Sequence, residues 1–151
     1  MNVGLNPFYL PDGLPAPCVD TEGLSAPYWD GLAQHELRVQ RCETCGCWQF
    51  GPEHLCHVCH AFDPVWTAVA ARGRIFSWER VWHPAHPALA GHGPYLVVLV
   101  ELTDAGGIRQ LGNLLGDPMQ PIEIGSEVEG VFEDHGSADP AFTLLHWRAV
   151  A

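Results

Sequence analysis

Two Cys-x-x-Cys pairs, Cys42-Glu-Thr-Cys45 and Cys56-His-Val-Cys59, stand ten residues apart and constrain this chain more than any other feature. That is the ligand spacing of a zinc ribbon. Each pair sits on a tight turn with its sulfurs facing inward, and two such turns close a tetrahedral four-sulfur site. Gly46, directly after the first pair, supplies the backbone freedom such a turn requires. A four-thiolate site leaves no coordination position for water, so zinc held by Cys42, Cys45, Cys56 and Cys59 is structural, not catalytic. The competing readings are disulfides or free core cysteines. Disulfides need an oxidising compartment, and the opening residues, MNVGLNPFYLPDGL, have neither a basic n-region nor an apolar h-region. Cys47 offers a rival thiolate beside the first pair, and His57 and His60 offer imidazoles beside the second. The two matching turns make the all-cysteine set the simpler one. Cys18 reads as a free thiol.

Charge decides between partners. Eighteen acidic residues face seven basic ones, all Arg, for a net charge of −11. Zinc-bound thiolates add about two further negative charges. A ribbon beside a β-barrel raises nucleic acid as a partner, but that affinity comes largely from basic groups displacing counterions along the phosphates. A chain this acidic lacks them, so nucleic acid is the weakest reading. With 47% apolar residues the chain can bury a core. No apolar run approaches the ~20 residues of a membrane span. The longest, Tyr95 to Val100, reads as a buried strand. Together with a thiolate metal site, this places the chain in the cytoplasm.

The expected organisation is a leader and short helix over 1–36, a zinc ribbon over 37–62 and a barrel over 63–151. The leader, with Pro7, Pro11, Pro15 and Pro17, wanders or lies extended over a partner. Ser25 reads as an N-cap, with Pro27 in the first turn and Asp30 near the positive end of the dipole. Tyr28, Leu32 and Trp29 form an apolar side of a helix running to about His35, packed on its own ribbon or docked on another subunit. Leu37–Gln40 enters the first cysteine turn as a strand and Trp48-Gln49-Phe50 leaves it. Trp66–Trp82 reads as one long strand, bent at Arg72-Gly73-Arg74. Tyr95–Leu102, a hairpin turn at Asp104-Ala-Gly106-Gly107, then Ile108–Leu115, Glu127–Glu133 and Phe142–Val150 follow. A mainly β chain with five such strands suits a closed Greek-key barrel of the OB type.

From Pro27-Tyr28-Trp29 onward the chain resembles the zinc-ribbon/OB-fold proteins associated with acyl-CoA enzymes, formerly domain of unknown function thirty-five. The resemblance is carried by Leu37-Arg-Val-Gln-Arg41-Cys42-Glu-Thr-Cys45-Gly46, Gln49-Phe50-Gly-Pro52, Cys56-His-Val-Cys59 and Gly73-Arg-Ile-Phe76-Ser77-Trp78. It continues through His83-Pro84-Ala-His86-Pro87, Pro94-Tyr95-Leu-Val-Val-Leu-Val-Glu101-Leu, Ile124-Gly125-Ser-Glu-Val128 and Val131-Phe132-Glu133-Asp134, covering roughly 25–148. Glu53 stands where the family usually has Arg, His60 where it usually has Gly, and Cys47 where it usually has another residue. No phosphate-binding Arg is therefore carried over to the Pro52 loop. The resemblance implies a rubredoxin-like ribbon joined to an OB barrel. It also implies a non-catalytic accessory subunit in a hetero-oligomer with a thiolase-fold (lipid-transfer-protein-like) aldolase, a thiolase or a MaoC-type hydratase. Steroid side-chain degradation is one setting, and a coenzyme A thioester is the ligand of such a complex.

The residues themselves offer one candidate for chemistry. His83 and His86, with His92 and Tyr95 nearby, could act as a base, hold an anion or metal, or contact a partner; otherwise the loop is a stiff connection pinned by proline. Phe76, Trp78, Arg80 and Trp82 alternate along one strand face. Such a row can stack a nucleobase, but Phe76 and Trp78 are expected in the barrel core. Arg72, Arg74 and Arg109 are candidates for CoA phosphates, against ordinary surface solvation, and Tyr28 and Trp29 for partner contact. Neither a Gly-x-Ser-x-Gly elbow nor a P-loop occurs in the sequence. Besides the accessory reading, two remain: a free-standing acyl-CoA or nucleotide binder, and a nucleic-acid module.

Overall fold

The computed structural model describes residues 8, 9, 11–83 and 85–150. Pro7 and Pro84, invoked above, lie outside them. The chain is mainly β, with two sheets and one short helix. The helix α1, Ala26–Ala33, is entered through Ser25 and Pro27. Ser25 occupies the N-cap position, yet its hydroxyl accepts from no helix amide and instead donates to the Asp20 carboxylate at 2.9 Å. Asp30 is the fifth helical residue, so the first turn has no acidic side chain. The helix ends at Ala33, two residues short of the expected His35, because His35 takes a left-handed backbone (φ 57°). Its amide and that of Glu36 turn back onto the carbonyls of Leu32 and Gly31, closing a Schellman motif.

A three-stranded sheet follows, built from β1 (Leu37–Arg41), β2 (Trp48–Gln49) and β3 (Val65–Val69) with β1 in the middle. All pairings are antiparallel, Gln40 opposite Gln49 and Val39 opposite Thr67. The single long strand expected over Trp66–Trp82 is thus two strands in different sheets. The Arg72 amide turns back onto the Ala70 carbonyl at 2.8 Å, and this tight turn ends one ladder and starts the other.

The second sheet contains β4 (Arg72–Val81), β5 (Tyr95–Leu102), β6 (Arg109–Asn113), β7 (Glu127–His135) and β8 (Phe142–Ala149) in the order β6-β5-β4-β7-β8. A parallel bridge between Leu114 and Trp147 joins its two edges, reinforced by the Leu115 amide donating to the Trp147 carbonyl at 2.8 Å. Closure abolishes the open edges and gives the OB barrel. Strict alternation along β5 sends Leu96, Val98, Val100 and Leu102 inward, all fully buried with Trp147. The ring of Trp147 lies over Gly112, where a β-carbon would come within 2.7 Å of it.

Ribbon, helix and barrel share one core. Leu32, Leu37 and Val39 are buried in the same cluster as Val98, Leu145 and Trp147. The β5–β6 turn carries Gly106 (φ 63°) against the Trp48 ring of the ribbon. The helix therefore packs on its own chain: the Tyr28 hydroxyl accepts a 3.0 Å bond from Gln110 of the barrel. The described part of the leader, too, lies on its own barrel. The Tyr9 amide donates to Glu133 at 2.9 Å, and its hydroxyl donates to the Leu114 carbonyl at 3.0 Å. Among the described residues, no helix is long and apolar enough to cross a membrane.

The β4 stripe departs from the expectation of core. A bulge between Ile75 and Ser77 shifts the register against β5, and the extra residue, Phe76, is turned outward at 43% exposure. Trp78, beyond the bulge, is half-buried against the core. Arg80 lies over the Trp78 ring and donates to the carbonyls of Pro118 and Gln120 at 2.7 and 3.0 Å.

Candidate functional site

The four cysteines converge from two turns of matching construction. In the first, the Cys42 amide donates to the Cys47 carbonyl and the Gly46 amide to the Cys42 carbonyl; in the second, Cys56 and Ala61, His60 and Cys56 repeat the pattern. The residue after each second cysteine takes a left-handed backbone, Gly46 at φ 74° and His60 at φ 61°. The histidine that departs from the family's usual glycine therefore accepts the glycine's conformation.

The sulfurs of Cys42, Cys45, Cys56 and Cys59 all lie within 4.8 Å of one another, Cys42 to Cys59 at 3.5 Å and Cys45 to Cys56 at 3.6 Å. Zinc–sulfur bonds of about 2.3 Å in a tetrahedron place sulfurs about 3.8 Å apart, so the cradle has the size of a zinc-thiolate centre. Cys42 and Cys56 are buried and Cys45 and Cys59 exposed. The Cys45 amide, aided by neighbouring sulfur and amide donors, holds Cys42 below the usual thiol range. The Cys59 and Val58 amides bring Cys56 down to about 6. Cys45 accepts from the Cys47 amide, but partial desolvation within the cluster and three neighbouring sulfurs push it up to about 12. The cage thus favours the first thiolates and resists the rest, an arrangement that a divalent cation completes. Cys47 stands outside the cluster. Burial, then repulsion from the nearby sulfurs, raises its thiol, which lies 3.5 Å from His57 Nε2.

Two buried glutamines brace the turns. Gln40 Oε1 accepts from the Glu53 amide and from Gln49 Nε2, both at 3.0 Å. Gln49 in turn donates to the Leu55 carbonyl and accepts from the His57 amide, both at 3.2 Å. Their role escaped the sequence reading; the signal for it was a glutamine at an inward position of each ribbon strand.

The remaining sequence candidates do not gather. His83 is exposed just beyond β4, and Tyr95 is half-buried at the start of β5, opposite Val81. His86 Nδ1 accepts from the Ala88 amide at 3.1 Å, capping a short 3-10 turn over Pro87–Leu89. Arg72 and Arg74 lie toward the far end of β4, about 20–30 Å along the strand from that loop. Arg74 pairs with Glu127 at 2.9 Å and Arg72 faces Glu129 across the ladder. Arg109 lies 3.4 Å over the Phe76 ring and 3.5 Å from Glu101. Trp29 meets Tyr28 edge-on, and burial pushes the Tyr28 hydroxyl up to about 12.

Two family models match in tandem: the ChsH2 rubredoxin-like zinc ribbon domain over residues 29–65 and the ChsH2 C-terminal OB-fold domain over 66–133. A probable enoyl-CoA hydratase alpha subunit of Thermomonospora curvata is 35% identical over 134 residues, 89% of this chain and 39% of that protein. The 3-oxo-4,17-pregnadiene-20-carboxyl-CoA hydratase alpha subunit of Mycobacterium tuberculosis is 29% identical over 138 residues, 91% of this chain and 41% of that one. The chain thus spans about two-fifths of the length of these curated relatives. A solved structure titled Ltp2-ChsH2(DUF35) aldolase superposes with a TM-score of 0.73 at 33% identity, covering 90% of this chain and 100% of its counterpart. A DUF35-family protein of unknown function from Sulfolobus solfataricus shares the fold, with a TM-score of 0.54 at 14% identity over 82% of this chain and 83% of that one. On its paired cysteine turns, its closed barrel and these matches, the chain belongs to the ChsH2 (DUF35) family of zinc-ribbon and OB-fold domains.

Proposed function

We propose that this chain is the non-catalytic accessory subunit of a heteromeric acyl-CoA enzyme, with a thiolase-fold aldolase or thiolase as its catalytic partner. The observation that carries this reading is the match, over 90% of this chain and all of its counterpart, to a chain of a solved Ltp2-ChsH2(DUF35) aldolase, together with the two ChsH2 domain models. The hydratase names of the curated relatives make a MaoC-type hydratase the alternative partner, and one of those names supports a steroid substrate. The ligand of the assembled enzyme is then a coenzyme A thioester, held chiefly by the catalytic subunit.

The four cysteines hold one zinc ion, whose chemistry is to cross-link the ribbon; four thiolates leave it no open position. Such a site belongs in a reducing compartment, the cytoplasm. Leu55, Val58, Phe62 and Val65 are exposed together around the second cysteine turn, Phe62 at 76%. An apolar patch of this kind supports docking on another subunit. His83, exposed beside Trp82, is the loop residue best placed to reach a partner, while His86 is engaged in its own turn.

The test is reconstitution. The catalytic subunit is assayed for acyl-CoA turnover alone and after addition of this chain. Turnover that appears only in the pair, with this chain inactive by itself, is the expected result. Full turnover by the catalytic subunit alone contradicts the proposal.

A further inference from the structure

A cavity lies away from the cysteine cluster, between the leader and the outer face of the last hairpin. In the antiparallel register of β7 and β8, Val131 faces His146, Glu133 faces Leu144 and His135 faces Phe142, so these six side chains share one face. On a barrel exterior that face would meet water. Here Phe8 stacks on His135 at 4.0 Å, Tyr9 leans on His146 at 5.4 Å, and the leader continues past it as far as Pro17. Between them remains a half-open space of about 580 Å³, inside the 300–1,000 Å³ range of small-molecule pockets. Leu14, Pro15, Pro17, Phe142 and Leu144 make its walls largely hydrocarbon.

The polar groups at this cavity are few and unequally satisfied. Glu133 is engaged: one oxygen accepts from the Tyr9 amide at 2.9 Å, the other faces His135 Nε2 at 2.8 Å. His146 is only 4% exposed, and among the described residues neither ring nitrogen has a hydrogen-bond partner. Nε2 lies 3.3 Å from Glu133 Oε2, close enough to feel its charge but not aligned for a bond. That charge favours the tautomer with the proton on Nε2, which leaves Nδ1 as a buried acceptor. Burial, opposed by Glu133, pushes the imidazole below its ordinary range, so the ring is neutral near pH 7. A buried acceptor without a donor is costly; both nitrogens are closed to water in the free chain, and a small turn of the ring, which lines the cavity, would let a ligand hydroxyl reach Nδ1.

We propose that this cavity binds a small, neutral, mainly hydrocarbon molecule that donates one hydroxyl to His146. An anion is disfavoured by the Glu133 carboxylate and by the net charge of −11. The hydrocarbon walls supply most of the affinity and His146 the selectivity.

The test uses the full chain, labelled for NMR on histidine rings and leucine methyls, titrated with 2-naphthol and, separately, naphthalene-2-carboxylate. Saturable shifts of the His146 nitrogens and Leu144 methyls with 2-naphthol are expected. The carboxylate should bind at least about tenfold more weakly, the worth of one unmade bond to a buried group. His146→Phe should weaken 2-naphthol about tenfold. Ala16→Trp, at an exposed leader position that lines the cavity, should abolish binding without touching the barrel core. Absence of saturable shifts at these groups would overturn the proposal. So would equal binding of the carboxylate, or undiminished naphthol binding by a folded Ala16→Trp chain.

Discussion

Gly73 offers the sharpest test of how the barrel is built. It is buried at the second position of β4, opposite Leu102 of β5 and Val128 of β7, with ladders on both sides. A β-carbon here would collide with the Glu101 carbonyl oxygen and come within 2.5 Å of Val100 Cγ1. The carbonyl belongs to a central strand with neighbours on both edges, so it cannot step aside as a side-chain end would. Overpacking of this kind costs about 1–3 kcal/mol. A backbone obstacle puts Gly73→Ala at the upper end, about 3 kcal/mol. For a chain of this length each kcal/mol lowers the midpoint by about 2–4 °C, so the expected loss is about 6–12 °C. Gly136→Ala is the control. Nothing lies within 4 Å of its β-carbon and its backbone is not left-handed, so the same chemical change should leave stability unchanged or raise it by about 0.5 kcal/mol. Urea unfolding of the metal-loaded chains gives the two free-energy changes and thermal unfolding the midpoint shift, each followed by circular dichroism. Equal stability of the two variants would refute the tight approach of β4 to β5 and with it the reading of Gly73.

The metal centre and the buried hairpin face give further expectations. Cys59→Ser should lose stoichiometric zinc and the order of the ribbon, because binding free energy there is folding free energy, whereas Cys47→Ser should keep one zinc per chain; metal analysis after gel filtration separates them. His146 and Glu133 both have pKa values lowered by folding. The stability each contributes is therefore fully present above its unfolded value and lost as pH falls, from about 6.5 downward for His146 and about 4.5 downward for Glu133. Urea midpoints at pH 7.5 and 5.5 should fall less in His146→Phe than in the natural chain, a comparison in which any acid release of metal is common to both.

Much of this molecule is legible in its sequence, for reasons that differ by element. The four cysteines are legible because thiolate geometry fixes their spacing, and β5 because its apolar alternation fits one buried face. The break within the Trp66–Trp82 run is not, because Val65–Val69 and Arg72–Val81 are consecutive runs of the same period; only the turn at Ala70 assigns them to different sheets. The bulge that exposes Phe76 adds one residue to a continuous pattern and leaves no mark in composition. Glu133 and His146 sit at outward positions of the last hairpin, where polar residues normally signal solvent. Their burial depends on a proline-rich leader more than a hundred residues earlier in the chain, a contact that local pattern cannot encode. Conversely, the close spacing of His83 and His86 suggests a joint site, yet His86 is a local cap, and about 20–30 Å of β4 separates both from Arg72 and Arg74.

The accessory role is tested most directly by a native pull-down of the tagged chain from its source cell, with mass-spectrometric identification and stoichiometry of what accompanies it. A thiolase-fold or hydratase subunit recovered in near-equal amount, and lost when Phe62 and Val65 are changed to Asp, is the result this account predicts. A chain that elutes alone and fully folded, with one zinc ion and no acyl-CoA enzyme beside it, would contradict it.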